Sequence, residues 1–182
     1  MTLRLPDCLR RLWPRFRRED GSATVEFVLI FPLFMTVFMA SFETGLLMVR
    51  QTMLERALDI VVRELRLGQF PNPTHDSIRD AICDAAVVLP ECRQSMKVSL
   101  DRVDMTTWAL PTDRVVCRDR ASNIDPVTRL DPAALAPREF MLVRVCVRAD
   151  AIFPSTGIAA NLEKDGKGGY RLVAASGFVN EP

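Results

Sequence analysis

The stretch Phe27 to Phe42 constrains this chain more than any other. It holds no charged residue, carries Phe27, Phe31, Phe34, Phe38 and Phe42, and follows a segment with Arg10, Arg11, Arg15, Arg17 and Arg18. A basic flank ahead of an apolar helix reads as a membrane span whose N-terminus stays in the cytoplasm. As a helix, Ser22 to Phe42 rises about 31 Å at ~1.5 Å per residue, close to the ~30 Å of the hydrocarbon core. Glu26 then falls near one interface and Glu43 near the other. Pro32 is expected to kink this helix without ending it, because Leu33 to Leu47 stay apolar and proline is tolerated in membrane helices.

Three fates compete for such an N-terminus. Signal peptidase requires small residues at −3 and −1 of its cut, and the best position, after Ala40, has Phe38 at −3. A lipoprotein cut before Cys8 would need a small residue where Asp7 stands. The third is a cut after Gly21, on the cytoplasmic side, which leaves the helix on the mature protein.

Gly21 at −1, Glu26 at +5 and Phe27 at +6, followed directly by an apolar helix, resemble the prepilin-peptidase site of type IV pilin-like proteins. With Ser22 in place of an aromatic residue at +1, Gly21-Ser22-Ala23-Thr24-Val25-Glu26-Phe27 resembles the TadE-like (TadE/TadF) minor pseudopilins of the tight-adherence (Tad/Flp) pilus system. The closing Asn180-Glu181-Pro182 resembles the end of that family. The resemblance implies a cut between Gly21 and Ser22 by a prepilin peptidase. It also implies that Glu26 draws the subunit into an assembly by pairing with the new Ser22 amine of a neighbour. The implied partners are other pilins and pseudopilins, the inner-membrane Tad assembly platform and membrane lipid. A carboxylate at the centre of a membrane helix costs about 2.5–3.5 kcal/mol on insertion scales, so one retained there wants an opposite charge.

Charge is distributed as topology demands. Of the formal +1, residues 1–21 carry six arginines against Asp7, Glu19 and Asp20, which leaves the remainder at −2. The basic residues therefore belong to membrane orientation, and no nucleic-acid partner is expected. The expected layout is a cytoplasmic leader over 1–21, a transmembrane helix over 22–49, an amphipathic continuation over 50–68 and a periplasmic α+β domain over 69–182. Leu54, Leu58, Val61 or Val62 and Leu65 recur at helical spacing, and Asp59 and Arg63 stand four apart in the favourable acid-first order. Gly68 and Pro71 supply the stop.

Beyond the Gln69–Pro73 link, Thr74 is placed to cap a short helix with Ile78, Ile82, Ala85 and Val88 or Leu89 on one face, ended by Pro90. His75, in its first turn, is expected to be solvated. Strands are expected at Met96–Met105, Arg114–Arg118, Phe140–Ala149 and Tyr170–Val179, with exposed loops at Asn123–Pro137 and Ile152–Gly169. The fold class is thus α+β: a long N-terminal transmembrane and amphipathic helix, then a small disulfide-tied domain with a short helix and an antiparallel sheet.

Cys83, Cys92, Cys117 and Cys146 form an even set in a small extracytoplasmic domain. Three pairings are open. Cys83–Cys92, where a helix end folds back past Pro90, and Cys117–Cys146, joining two strands, are favoured. Their spacing does not match a zinc site. No serine or cysteine has a base in suggestive context, and Gly166, Gly168 and Gly169 lie in a charged stretch unlike a phosphate loop. A non-enzymatic assembly subunit with no cofactor or metal is the expectation; a membrane-anchored periplasmic binding protein that never polymerises is the alternative.

Overall fold

The computed structural model describes residues 22–70, 72–130 and 138–179. The leader, Gly21, Pro71, the prolines Pro132 and Pro137, and Asn180-Glu181-Pro182 lie outside them. One helix, α1 (Ser22–Arg66), runs 45 residues without a break through Pro32 and Gly45, a length of about 67 Å. Its apolar half hides its few hydroxyls locally. Thr36 Oγ1 donates to the Leu33 carbonyl at 2.7 Å, Ser41 Oγ to Val37 at 2.9 Å and Thr44 Oγ1 to Ala40 at 2.8 Å.

The C-terminal half of α1 is the spine of a small head. Leu54, Ala57, Leu58, Val61 and Leu65 are buried at the 3-4 spacing of a single helix face. They pack on a three-stranded antiparallel sheet of order β1-β2-β3, formed by β1 (Lys97–Val103), β2 (Phe140–Asp150) and β3 (Gly169–Val179). Alternation selects the residues that face α1: Met141, Val143, Val145, Val147 and Ala149 of β2 register with Phe178, Ser176, Ala174, Leu172 and Tyr170 of β3. Helix α2 (His75–Ala85) closes the core with Ile78 and Ile82. Thr74 caps it, accepting from the Ser77 amide at 3.1 Å while its own amide donates to Ser77 Oγ at 2.9 Å. This helix stops before Val88, Leu89 and Pro90. Two one-turn helices complete the chain, α3 (Cys92–Ser95) and α4 (Gly157–Asn161).

Three expectations need correction. Arg114–Arg118 forms no strand. The segment runs across the polar face of the sheet, not beside an edge, so its amides join no ladder and its attachments are side chains. His75 is not simply solvated: its Nε2 accepts the edge amide of Val98 at 3.2 Å and its Nδ1 stands 3.2 Å from Asp76. Ile152–Gly169 is not all loop, because α4 forms there and buries Ala159.

The sheet's second face is polar yet covered. Lys97, Ser99, Asp101, Arg144 and Arg148 are all buried, beneath the irregular run 104–130. Arg144 donates to Asp101 at 2.8 Å and to the Asp113 carbonyl at 2.9 Å, and Lys97 pairs with Asp125 at 2.5 Å. The Cys117–Cys146 disulfide bolts the run to β2, while Cys83–Cys92 ties α2 to α3. The run ends at the open edge of β1, where Leu100 N–H donates to Arg129 O at 2.9 Å.

Candidate functional site

From Ala23 to Phe38 almost every side chain of α1 is exposed, and none of its most apolar window is buried against the rest of the protein. That separates it from the core helix of a soluble domain. Eleven large apolar side chains between Val25 and Phe42 stand free. Even at about 1 kcal/mol for each, transfer to lipid is worth on the order of 10 kcal/mol, well above the ~2.5–3.5 kcal/mol that Glu26 costs at most. One apolar helix near the N-terminus of this kind fits a single-pass membrane anchor. Ser22 begins α1, and Glu26 and Phe27 project from its exposed first turns, with Phe27 stacked on Phe31 at 5.1 Å. Glu26 and Phe27 meet no part of the head among the described residues.

The head meets the helix at a buried polar junction. Glu43 is 2% exposed, and its Oε2 accepts the amides of Ile152 and Phe153, both at 3.0 Å. Its other oxygen has no hydrogen-bond partner among the described residues. One side of α1 lower, Arg50 donates to the Asp150 carbonyl at 2.6 Å and to the Tyr170 hydroxyl at 2.7 Å. Gly157 sits so close to the helix that a Cβ there would lie 2.7 Å from Ala40 Cβ, and its φ of +54° suits glycine. Phe42 meets Phe153 edge-on at 6.3 Å. A lone acid closing a charge-free run is the sequence signal at Glu43, but its hold on Ile152 and Phe153 was not legible there, because those partners lie over a hundred residues away.

A second cluster clips the loops below this junction. Arg120 bridges Asp150 at 2.5 Å and Asp165 at 2.8 Å. Asp150 first, and then Asp165, raise the Arg120 guanidinium pKa further, so it stays charged. The Asp165 side chain is fully enclosed. Burial pushes its carboxyl up, but Arg120 and the amides of Gly169 and Lys167 overcome that and hold it at about 2. Because the folded value lies below the ordinary 3.8, the clip is fully formed above about pH 4 and is lost as pH falls toward about 2. The amide shifts of Lys167 and Gly169, which donate to Asp165 at 3.1 and 2.7 Å, are expected to titrate near the lower value; a midpoint near 4 would contradict the clip.

A cleft of about 200 Å³ lies on the covered face of the sheet, bordered by Lys97, Asp101, Asp113, Arg114, Arg129 and Arg144. Its buried charges already pair with Asp125, Asp113 or one another. Those pairs occupy Lys97, Asp101 and Arg144, and Arg114 and Arg129 line the same cleft. Among the described residues no group of three His, Cys, Asp or Glu side chains could hold a metal ion.

The chemistry on display is therefore that of attachment: a bare apolar helix with one acid, and a head locked onto it. No curated protein and no solved structure matches the chain. A family model described as TadE-like protein matches residues 21–63, which run from the residue before α1 to the last turn of that helix. That family is not a known enzyme family, and the match is consistent with a TadE-like protein of the Tad pilus system, associated with other pilus components, to which this chain is similar over most of α1.

Proposed function

We propose that the chain is a minor pseudopilin needed to assemble an adhesive Flp-type pilus. The observation that carries this reading is the bare apolar length of α1 inside the segment matched by the TadE-like model. The basic leader stays in the cytoplasm of the inner membrane, a prepilin peptidase cuts between Gly21 and Ser22, and the head stands in the periplasm. Two disulfides support an oxidising compartment for the head. Glu26, exposed four residues into the helix, pairs in this reading with the Ser22 amine of a neighbouring subunit, so that assembly proceeds through helix–helix contacts in lipid.

Mass spectrometry of membrane-extracted protein from cells with and without the peptidase tests the cut. A peptide beginning at Ser22 is expected only where the peptidase is present. Gly21→Ala is expected to block that cut, and Glu26→Gln to leave the cut intact while pilus output falls to near background. An uncut N-terminus in both strains would leave a plain membrane anchor, and normal piliation in both mutants would remove the assembly role.

A further inference from the structure

Ala151 to Leu162 contains no charged residue, an island between Asp150 and Glu163. The structure sets this island against α1 at the level where the bare apolar surface ends. Gly157 abuts Ala40, and the amides of Ile152 and Phe153 are held by Glu43. Ile152, Ile158 and Phe42 are nonetheless about half exposed, at 52%, 49% and 51%. Fixing their backbone against the helix while leaving their side chains outward makes an apolar collar continuous with the membrane-facing surface of α1. Counted from Ser22, ~30 Å of hydrocarbon at ~1.5 Å per residue ends near Ser41, beside the collar. The ammonium of Lys164 sits on the Pro154 carbonyl at 2.7 Å, a cation on the same loop, suited to the headgroup layer.

We infer that the 151–162 loop, with α4, is a second membrane contact: Ile152, Ile158 and Phe42 dip into the interface of the bilayer that α1 crosses. The inference rests on the reading of α1 as a membrane span. It makes the lipid surface, not only the helix within it, a partner of the head, and it fixes how high the head stands. An uncharged amphipathic surface of this size penetrates the headgroup–acyl boundary by roughly 5–10 Å.

The test uses the full chain in phosphatidylcholine nanodiscs, with and without dibrominated acyl chains, in a Trp13→Phe background. Trp108 packs against Phe140 at 5.7 Å, at the end of β2 remote from Asp150, and serves as the distant reporter. Ile158→Trp, and separately Ile152→Trp, are expected to add an emission that brominated lipid quenches about twofold or more, while Trp108 emission stays unchanged. Phe34→Trp reports on the span itself. Quenching of Phe34→Trp without quenching of either collar variant would overturn the inference and leave the anchor standing. Absence of quenching at all three would remove both. A blue-shifted collar emission that lipid does not quench would mean a protein neighbour covers the site, and would equally overturn it.

Discussion

Replacing Cys117 and Cys146 together with alanine is expected to lower the stability of the head by about 3–4 kcal/mol. The bond closes a loop of 29 residues, and the chain-entropy relation gives that magnitude for a loop of this length. The effect is largest here because the disulfide holds a segment with almost no backbone pairing of its own. Without it, run 104–130 depends on side-chain ties through Arg144, Lys97, Arg118, Asp119 and Arg120 and on a single edge bond from Leu100. Urea unfolding of the full chain in detergent reads the midpoint, and trypsin reads the local consequence. Cutting after Arg114 and Arg118 should accelerate well before the β2–β3 pair yields. The shorter Cys83–Cys92 loop, 9 residues, is expected to contribute less, about 2.5 kcal/mol. An unchanged midpoint together with unchanged cleavage would show that side-chain pairing alone holds the cover in place.

The second large effect is expected at Glu43. Glu43→Ala strands the amides of Ile152 and Phe153 in a junction that the carboxylate now satisfies. A buried donor left without a partner costs about 1–3 kcal/mol, so the loop should open with a combined loss of about 2–4 kcal/mol. Hydrogen exchange at those two amides, measured with the protein in lipid, should rise by about thirtyfold or more, tenfold corresponding to ~1.4 kcal/mol. Glu43→Gln keeps an acceptor oxygen, and its protection should stay close to the native level. Equal exchange in native and Glu43→Ala protein would place the loop's attachment elsewhere, in Gly157 and Phe153.

How much of this was legible in the sequence follows from where each residue finds its partner. The stripe of Leu54, Leu58, Val61 and Leu65 declares one face of α1 because its period is local, and Thr74 declares a cap for the same reason. Strand β2 was plain from Met141, Val143, Val145 and Val147. The even cysteine count pointed to disulfides, and the structure joins the pairs Cys83–Cys92 and Cys117–Cys146. Alternation also put Arg144 and Arg148 on the opposite face, but it says nothing of what lies above that face. The cover, run 104–130, is aperiodic, and its bonds to Arg144 span more than thirty residues, so Arg114–Arg118 read as another strand. The same limit hid the junction. Glu43 and Ile152 are 109 residues apart, and the island between Asp150 and Glu163, with Pro154 and Gly157, had the composition of a loop until α1 was set beside it.

The continuity of α1 carries a mechanical consequence. The helix that bears Glu26 is the one that supplies Leu54, Leu58 and Leu65 to the centre of the head, and Glu43 and Arg50 pin the intervening turns to the loops around it. No swivel lies between the pinned turns and the core. Twisting the lower helix about its own axis therefore turns the sheet by the same angle, as a key turns with its shaft. A neighbour that takes hold of the helix at Glu26 would choose the compass bearing of the whole head, and with it which of the two sheet faces looks outward from the assembly.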